Sequence, residues 1–144
     1  MRKADNERLM RIINFMELEL NDLKRFTQIG YGEYQEDRDK RRNLERCIEN
    51  VVNASLDIAK ILLASQESEI PDTYRQYFMS LSASGLIPES SASRLAEGVG
   101  LRNILAHQYL DIRWKSVKKF LSETVEAYFE WLEIARRLVK SSGL

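Results

Sequence analysis

Apolar residues recur at helical spacing in almost every segment of this chain. Leu9, Ile12, Ile13, Met16, Leu20 and Leu23 fall every three or four positions and predict a first helix over about residues 5–27. Gly30-Tyr31-Gly32 then breaks the pattern. A longer second helix over about 34–65 carries Leu44, Cys47, Ile48, Val51, Val52, Ser55, Ile58, Ala59, Leu62 and Leu63, a stripe wide enough to be buried against two neighbours. Pro71 with Asp72 opens a short third helix holding Tyr74, Tyr77, Phe78 and Leu81. Pro88, after the Gly85 break, opens a fourth with Ala92, Leu95, Ala96 and Val99. The cleanest stripe comes last: Val117, Phe120, Leu121, Val125, Tyr128, Trp131, Leu132, Ala135 and Leu138, ending near Ser141-Ser142-Gly143.

No segment alternates apolar and polar residues with β-branched enrichment, so the expected fold is all-α. The expected architecture is an up-and-down bundle of four or five helices joined mostly by short loops. With 144 residues, 44% of them hydrophobic, the chain suffices for one domain, taken as residues 1–144, with a substantial core. The aromatic group Tyr128, Phe129 and Trp131 reads as core or dimer packing by its helical spacing, rather than as a stacking platform. Trp114 stands off the main stripe.

Charge narrows the possibilities. The 22 basic and 22 acidic residues balance, so bulk attraction to nucleic acid is absent and any such binding must come from a local patch. From Asp111 onward seven Lys and Arg (Arg113, Lys115, Lys118, Lys119, Arg136, Arg137, Lys140) stand against five acids. The run Arg113 to Lys119 is either a solvated helix face or a substrate-facing patch. A single cysteine, Cys47, excludes an internal disulfide and, with a single histidine, any recognisable zinc-ligand set within one chain. Its place in the second stripe reads as buried packing. The N-terminal residues lack the apolar run of a signal peptide and no segment approaches a membrane span, so a cytoplasmic location is expected.

The chemistry concentrates in Arg102-Asn103-Ile104-Leu105-Ala106-His107-Gln108-Tyr109. His107 is the only histidine, a group that moves a proton near neutral pH. Arg102 offers a permanent charge with a fork of donors that suits phosphate, and Tyr109 a hydroxyl that binds or is modified. Seven residues apart, Arg102 and Tyr109 would share a face of a continuous helix. His107 would point roughly 140° from Arg102 on a straight helix, so the two converge only if the helix bends or ends there, or if a second subunit completes the site. Asp111 is a good N-cap for a following helix, which places the motif at a helix–helix junction. Read from these residues alone, His107 is either a proton-transfer group or a hydrogen-bonded residue of that junction.

The pattern Arg102-x4-His107-x-Tyr109 resembles the signature of the HEPN superfamily, specifically the HepT-like toxins that pair with MntA-like nucleotidyltransferase antitoxins. The resemblance spans nearly the whole chain, including Arg42-Asn43-Leu44-Glu45-Arg46, Asp57-Ile58-Ala59, the Ile70 to Tyr74 segment and the motif before the final long helix. It implies a small helical protein that dimerises so that two motifs face one cleft, and that cleaves RNA without a metal or other cofactor. It assigns Arg102 and His107 as catalytic, Asn103 as a supporting polar residue, and Tyr109 as the hydroxyl that the partner adenylylates. It also leaves a second class open, a non-catalytic helical module that binds a nucleotidyltransferase or its nucleotide.

The required chemistry agrees. Metal-independent RNA cleavage needs a proton removed from the 2′-hydroxyl, a stabilised phosphorane and a protonated leaving oxygen. One histidine is one too few, and two contributed across a homodimer would supply base and acid.

Overall fold

The computed structural model describes residues 2–67 and 69–141. Its elements in chain order are α1 (Lys3–Leu23), a 3-10 turn (Lys24–Phe26), α2 (Tyr31–Glu36), α3 (Arg38–Ser65), α4 (Tyr74–Ala83), α5 (Glu89–His107), α6 (Leu110–Lys119), a π-helical turn (Phe120–Thr124) and α7 (Val125–Ser141). No strand occurs among the described residues, as the lack of alternation predicts. Ser142 and Gly143, part of the expected end of the last helix, lie outside the described residues.

Capping chemistry moves several boundaries from where periodicity puts them. The expected second helix is divided at Asp37, whose extended backbone and Oδ1, accepting from the Lys40 N–H at 3.0 Å, end α2 and start α3. The third begins at Tyr74 rather than directly after Pro71. There Thr73 takes the N-cap, its hydroxyl accepting from the Gln76 N–H at 3.4 Å. The last apolar stripe lies on a helical run that starts earlier, at Leu110, and passes through the π-helical turn, where an extra residue is accommodated in one turn.

α1 packs along α3 and α4 along α5, α3 also meets α4 and α5, and α7 returns to α1 to close the bundle. Leu9, Ile13, Met16 and Leu20 of α1, Leu44, Ile48, Val51 and Ile58 of α3, Leu95 of α5, and Tyr128 and Trp131 of α7 belong to one buried cluster. Cys47 is part of it, and burial, followed by a hydrogen bond with Glu19, pushes its thiol up to about 12. A thiol held protonated in this way is inert at neutral pH.

Burying Tyr128 and Trp131 requires partners for their polar tips, and the neighbouring helices supply them. The Trp131 indole N–H donates to the Ser55 carbonyl on α3 at 3.2 Å, and the Tyr128 hydroxyl donates to the Leu95 carbonyl on α5 at 2.7 Å. These two aromatics are core, whereas Phe129 is half-buried with the Lys24 ammonium 5.4 Å from its ring centre. Tyr128 crosses α5 so closely that a β-carbon at Gly98 would sit 2.0 Å from its hydroxyl oxygen. Only glycine permits that approach.

Alanine is the better helix former, yet Gly98→Ala should lose about 1–3 kcal/mol of unfolding free energy by overpacking against Tyr128. Gly100→Ala, where the added carbon meets nothing within 4 Å beyond its own stretch of helix, should gain up to about 1 kcal/mol. Urea denaturation of the two variants measures both, and the same sign in both would contradict the contact.

Candidate active site at the α5–α6 junction

The motif straddles a helix junction, as the sequence predicts, but the local geometry differs from the simplest expectation. α5 remains helical through His107, and the Gln108 N–H still reaches the Ile104 carbonyl at 3.0 Å. Gln108 and Tyr109 then run extended, and α6 starts at Leu110 with Tyr109 as its N-cap residue, making no side-chain cap. Asp111 is therefore not the cap. It lies in the first turn of α6, where its charge suits the helix dipole. Because the helix breaks before Tyr109, the expected shared face for Arg102 and Tyr109 does not exist.

Arg102 is half-buried and reaches across to the exposed residues Asn53 on α3 and Tyr74 on α4. Its guanidinium donates from Nη1 to Asn53 Oδ1 on α3 at 2.6 Å and lies 5.0 Å from the centre of the Tyr74 ring on α4. The surrounding cleft, about 310 Å³, is lined by Asn53, Leu56, Asp57, Lys60, Tyr74, Tyr77 and Arg102. Asn103, His107 and Tyr109 are exposed, Tyr109 with 83% of its surface open. Since α5 is unbroken between Arg102 and His107, the two side chains leave it roughly 140° apart. One chain does not bring them together.

A second anchor holds α6. Arg113, counted from sequence among the basic run, turns inward instead. Its Nη2 donates to both oxygens of Glu45 on α3 at 2.5 and 2.7 Å, and its Nε to Glu45 Oε2 at 3.2 Å. Burial works against the Arg113 charge, and the hydrogen bonding and charge of Glu45 more than restore it, so its pKa ends raised. The Tyr34 hydroxyl donates to the same carboxylate from α2. Burial first, and Glu45 second, push the Tyr34 phenol above its ordinary range. Trp114 completes the contact, with ring centres 5.0 Å from Tyr34 and 5.8 Å from Tyr31. Of the expected patch, Lys115 and Lys118 stay exposed, and Lys119 lies 3.8 Å from Glu97.

Sequence reasoning did not find Asn53 and Tyr74, which lie 49 and 28 positions from Arg102. The available signal was the polar stripe Asn53, Asp57, Lys60 on the mostly apolar second half of α3. Glu19, Asp22 and Cys47 bring donor atoms within 4.8 Å of one another, but this group contains no motif residue and its thiol holds its proton up to about 12. The described residues include no helix long and apolar enough to cross a membrane.

An all-helical bundle with Arg102, His107 and Tyr109 at this junction has the arrangement of a HEPN fold. Residues 16–134 match the HepT-like family, described as ribonuclease HepT-like, and the chain belongs to that family. It is 30% identical over 94 residues to the mRNA nuclease HepT of Shewanella oneidensis, covering 65% of this chain and 68% of that relative. Over 109 residues it is 28% identical to the tRNA nuclease HepT of Aphanizomenon flos-aquae, covering 76% of this chain and 74% of the other. The solved tri-AMPylated HEPN toxin of Shewanella oneidensis, in complex with MNT antitoxin, superposes with a TM-score of 0.80 at 19% identity, covering 95% of this chain and 99% of that one. YutE of Bacillus subtilis, a cytosolic protein of unknown function, gives a TM-score of 0.80 at 14% identity over 95% of this chain and 92% of its own. At these identities the solved structures show the shared fold.

The Tyr34 proton gives the anchor a pH signature. A group whose folded pKa is raised contributes stability that is whole below its unfolded value, about 10 for a phenol, and is lost as pH rises through the folded value. The stability difference between wild type and Tyr34→Phe should therefore hold steady at neutral pH and shrink above about pH 10. Denaturant titrations across that range measure it, and a difference that grows with pH would contradict the arrangement.

Proposed function

We propose that this protein, as a single domain over residues 1–144, is the cytoplasmic toxin of a toxin–antitoxin pair. On this reading it is a metal-independent endoribonuclease whose active site two copies of the chain complete. The observation that carries the reading is the divergence of Arg102 and His107 on an unbroken α5 within a ribonuclease family member. A homodimer that sets the two α5 C-terminal ends facing each other would supply two imidazoles and two guanidiniums to one cleft. One imidazole takes the 2′-hydroxyl proton, and the freed oxygen attacks the adjacent phosphorus. The opposite imidazolium gives its proton to the leaving 5′-oxygen, so the products are a 2′,3′-cyclic phosphate and a 5′-hydroxyl end. The Arg102 guanidiniums stabilise the phosphorane oxygens, with Asn103 as a polar support.

Tyr109 is the control point. Its exposure and its place outside the Arg102 cleft suit modification by an MntA-like nucleotidyltransferase antitoxin rather than proton transfer. The phenol oxygen attacks the α-phosphorus of ATP, pyrophosphate leaves, and the attached nucleotide sets negative charge two residues from His107. That charge competes with RNA phosphate for Arg102.

Arg102→Ala and His107→Ala should each lower RNA cleavage by at least on the order of a hundredfold with the fold intact, and wild-type cleavage should survive EDTA. Mixing the two variants should fall short of the wild-type rate, because the one cleft of a mixed dimer keeps a single imidazole and lacks either the base or the acid. Wild-type rates in His107→Ala, a requirement for a divalent ion, or a monomer at micromolar concentration by sedimentation would each overturn the mechanism.

After co-expression with the antitoxin, intact-mass analysis should find wild-type protein heavier by one or more AMP units and Tyr109→Phe unchanged. Cells carrying Tyr109→Phe with the antitoxin should stop growing. Wild-type protein that stays unmodified yet is silenced would make inhibition a matter of binding alone.

A further inference from the structure

Arg102 has two partners in the chain, and neither carries a charge. Asn53 accepts one hydrogen bond through its amide oxygen, and Tyr74 presents its ring to the guanidinium plane. Among the described residues Arg102 forms no salt bridge within 4.0 Å, although Asp57 lines the same cleft one turn along α3 from Asn53. Its Nε is buried without a hydrogen-bond partner, so the bond to Asn53 is the one hydrogen bond that directs the fork among the described residues.

That choice of partners has a physical consequence. A carboxylate in place of Asn53 would hold the guanidinium at least as firmly, but it would cancel much of the charge that a phosphate must feel. An amide oxygen orients the same donors and leaves the charge whole. An aromatic face restrains the plane through its quadrupole, again without a formal negative charge. Anchored by both α3 and α4, the side chain is set before substrate arrives, and a preset donor array loses little on reaching the transition state.

We infer that Asn53 and Tyr74 are positioning residues, a charge-neutral clamp that orients Arg102 toward the scissile phosphate while leaving its full charge available. The inference rests on the ribonuclease reading of the motif. Neither residue needs to touch the reacting atoms.

The test uses the full-length protein and a labelled RNA, with Asn53→Ala, Asn53→Asp, Tyr74→Leu and Tyr74→Phe. Asn53→Ala should lower kcat by a factor on the order of ten to a hundred with KM little changed. Asn53→Asp should be slower still while melting no lower than Asn53→Ala, so activity and stability move in opposite directions. Tyr74→Leu should lower kcat, and Tyr74→Phe, which keeps the ring, should restore most of it. A readout independent of cleavage is the Arg102 Nε–Hε signal in nitrogen-15 NMR, assigned by its loss in Arg102→Ala. It should be ring-shifted and slow to exchange in the wild type, and move toward the free-arginine position in Asn53→Ala and Tyr74→Leu. An Asn53→Asp variant as fast as wild type, or an Arg102 signal that neither substitution moves, overturns the clamp while the nuclease reading stands. A wild-type chain that cuts no RNA overturns the nuclease reading, and the clamp's role with it.

Discussion

The close crossing of Tyr128 over Gly98 sets the depth at which α5 lies in the bundle. A side chain of any size at position 98 would push the helices apart, and the 2.7 Å hydrogen bond to Leu95 would open with them. Burial holds the Tyr128 phenol protonated, its pKa driven far up, so it remains a donor to that carbonyl. Arg102 sits one turn beyond Gly98 on the same face of α5. The reach from Arg102 to Asn53 and Tyr74 therefore depends on a contact that involves neither of them.

From that constraint follows a division of the motif between two environments. Arg102 is half-buried and tied to α3 and α4, whereas His107 and Tyr109 stand in solvent at the end of α5 and the start of α6. The extended pair Gln108 and Tyr109 is short and tied at both ends, since the Arg113 N–H binds the Tyr109 carbonyl at 3.0 Å and the Arg113 side chain is locked to Glu45. Tyr109 is thus presented on a fixed support rather than on a free loop. A partner engaging it has little chain entropy to overcome.

The helices were legible because burial on one side of a helix imposes its period on the sequence, and the last stripe and the α3 stripe both became core. The junction was legible too, though through Asp111 read as an N-cap, a residue that the structure sets in the first turn of α6 instead. Boundaries at Asp37 and Thr73 depended on single capping contacts that periodicity does not weigh, and the one at Tyr109 has no side-chain cap to signal it. The direction of Arg113 was hidden because its partner, Glu45, lies 68 positions away on a face that reads as polar. Asn53 and Tyr74 were hidden for the same reason. A hydrogen bond between distant helices leaves no spacing rule in the chain, and only the packed bundle shows which polar residues of α3 and α4 meet α5.

The splaying of Arg102 and His107 around α5 carries a consequence for dose. If each working cleft needs two chains, the amount of active protein at low abundance rises with the square of chain concentration rather than in proportion to it. Isolated copies released by slow synthesis would be harmless at concentrations well below the dissociation constant for pairing. Damage would begin only past a threshold, which gives a modifying partner time to act on single chains before they meet.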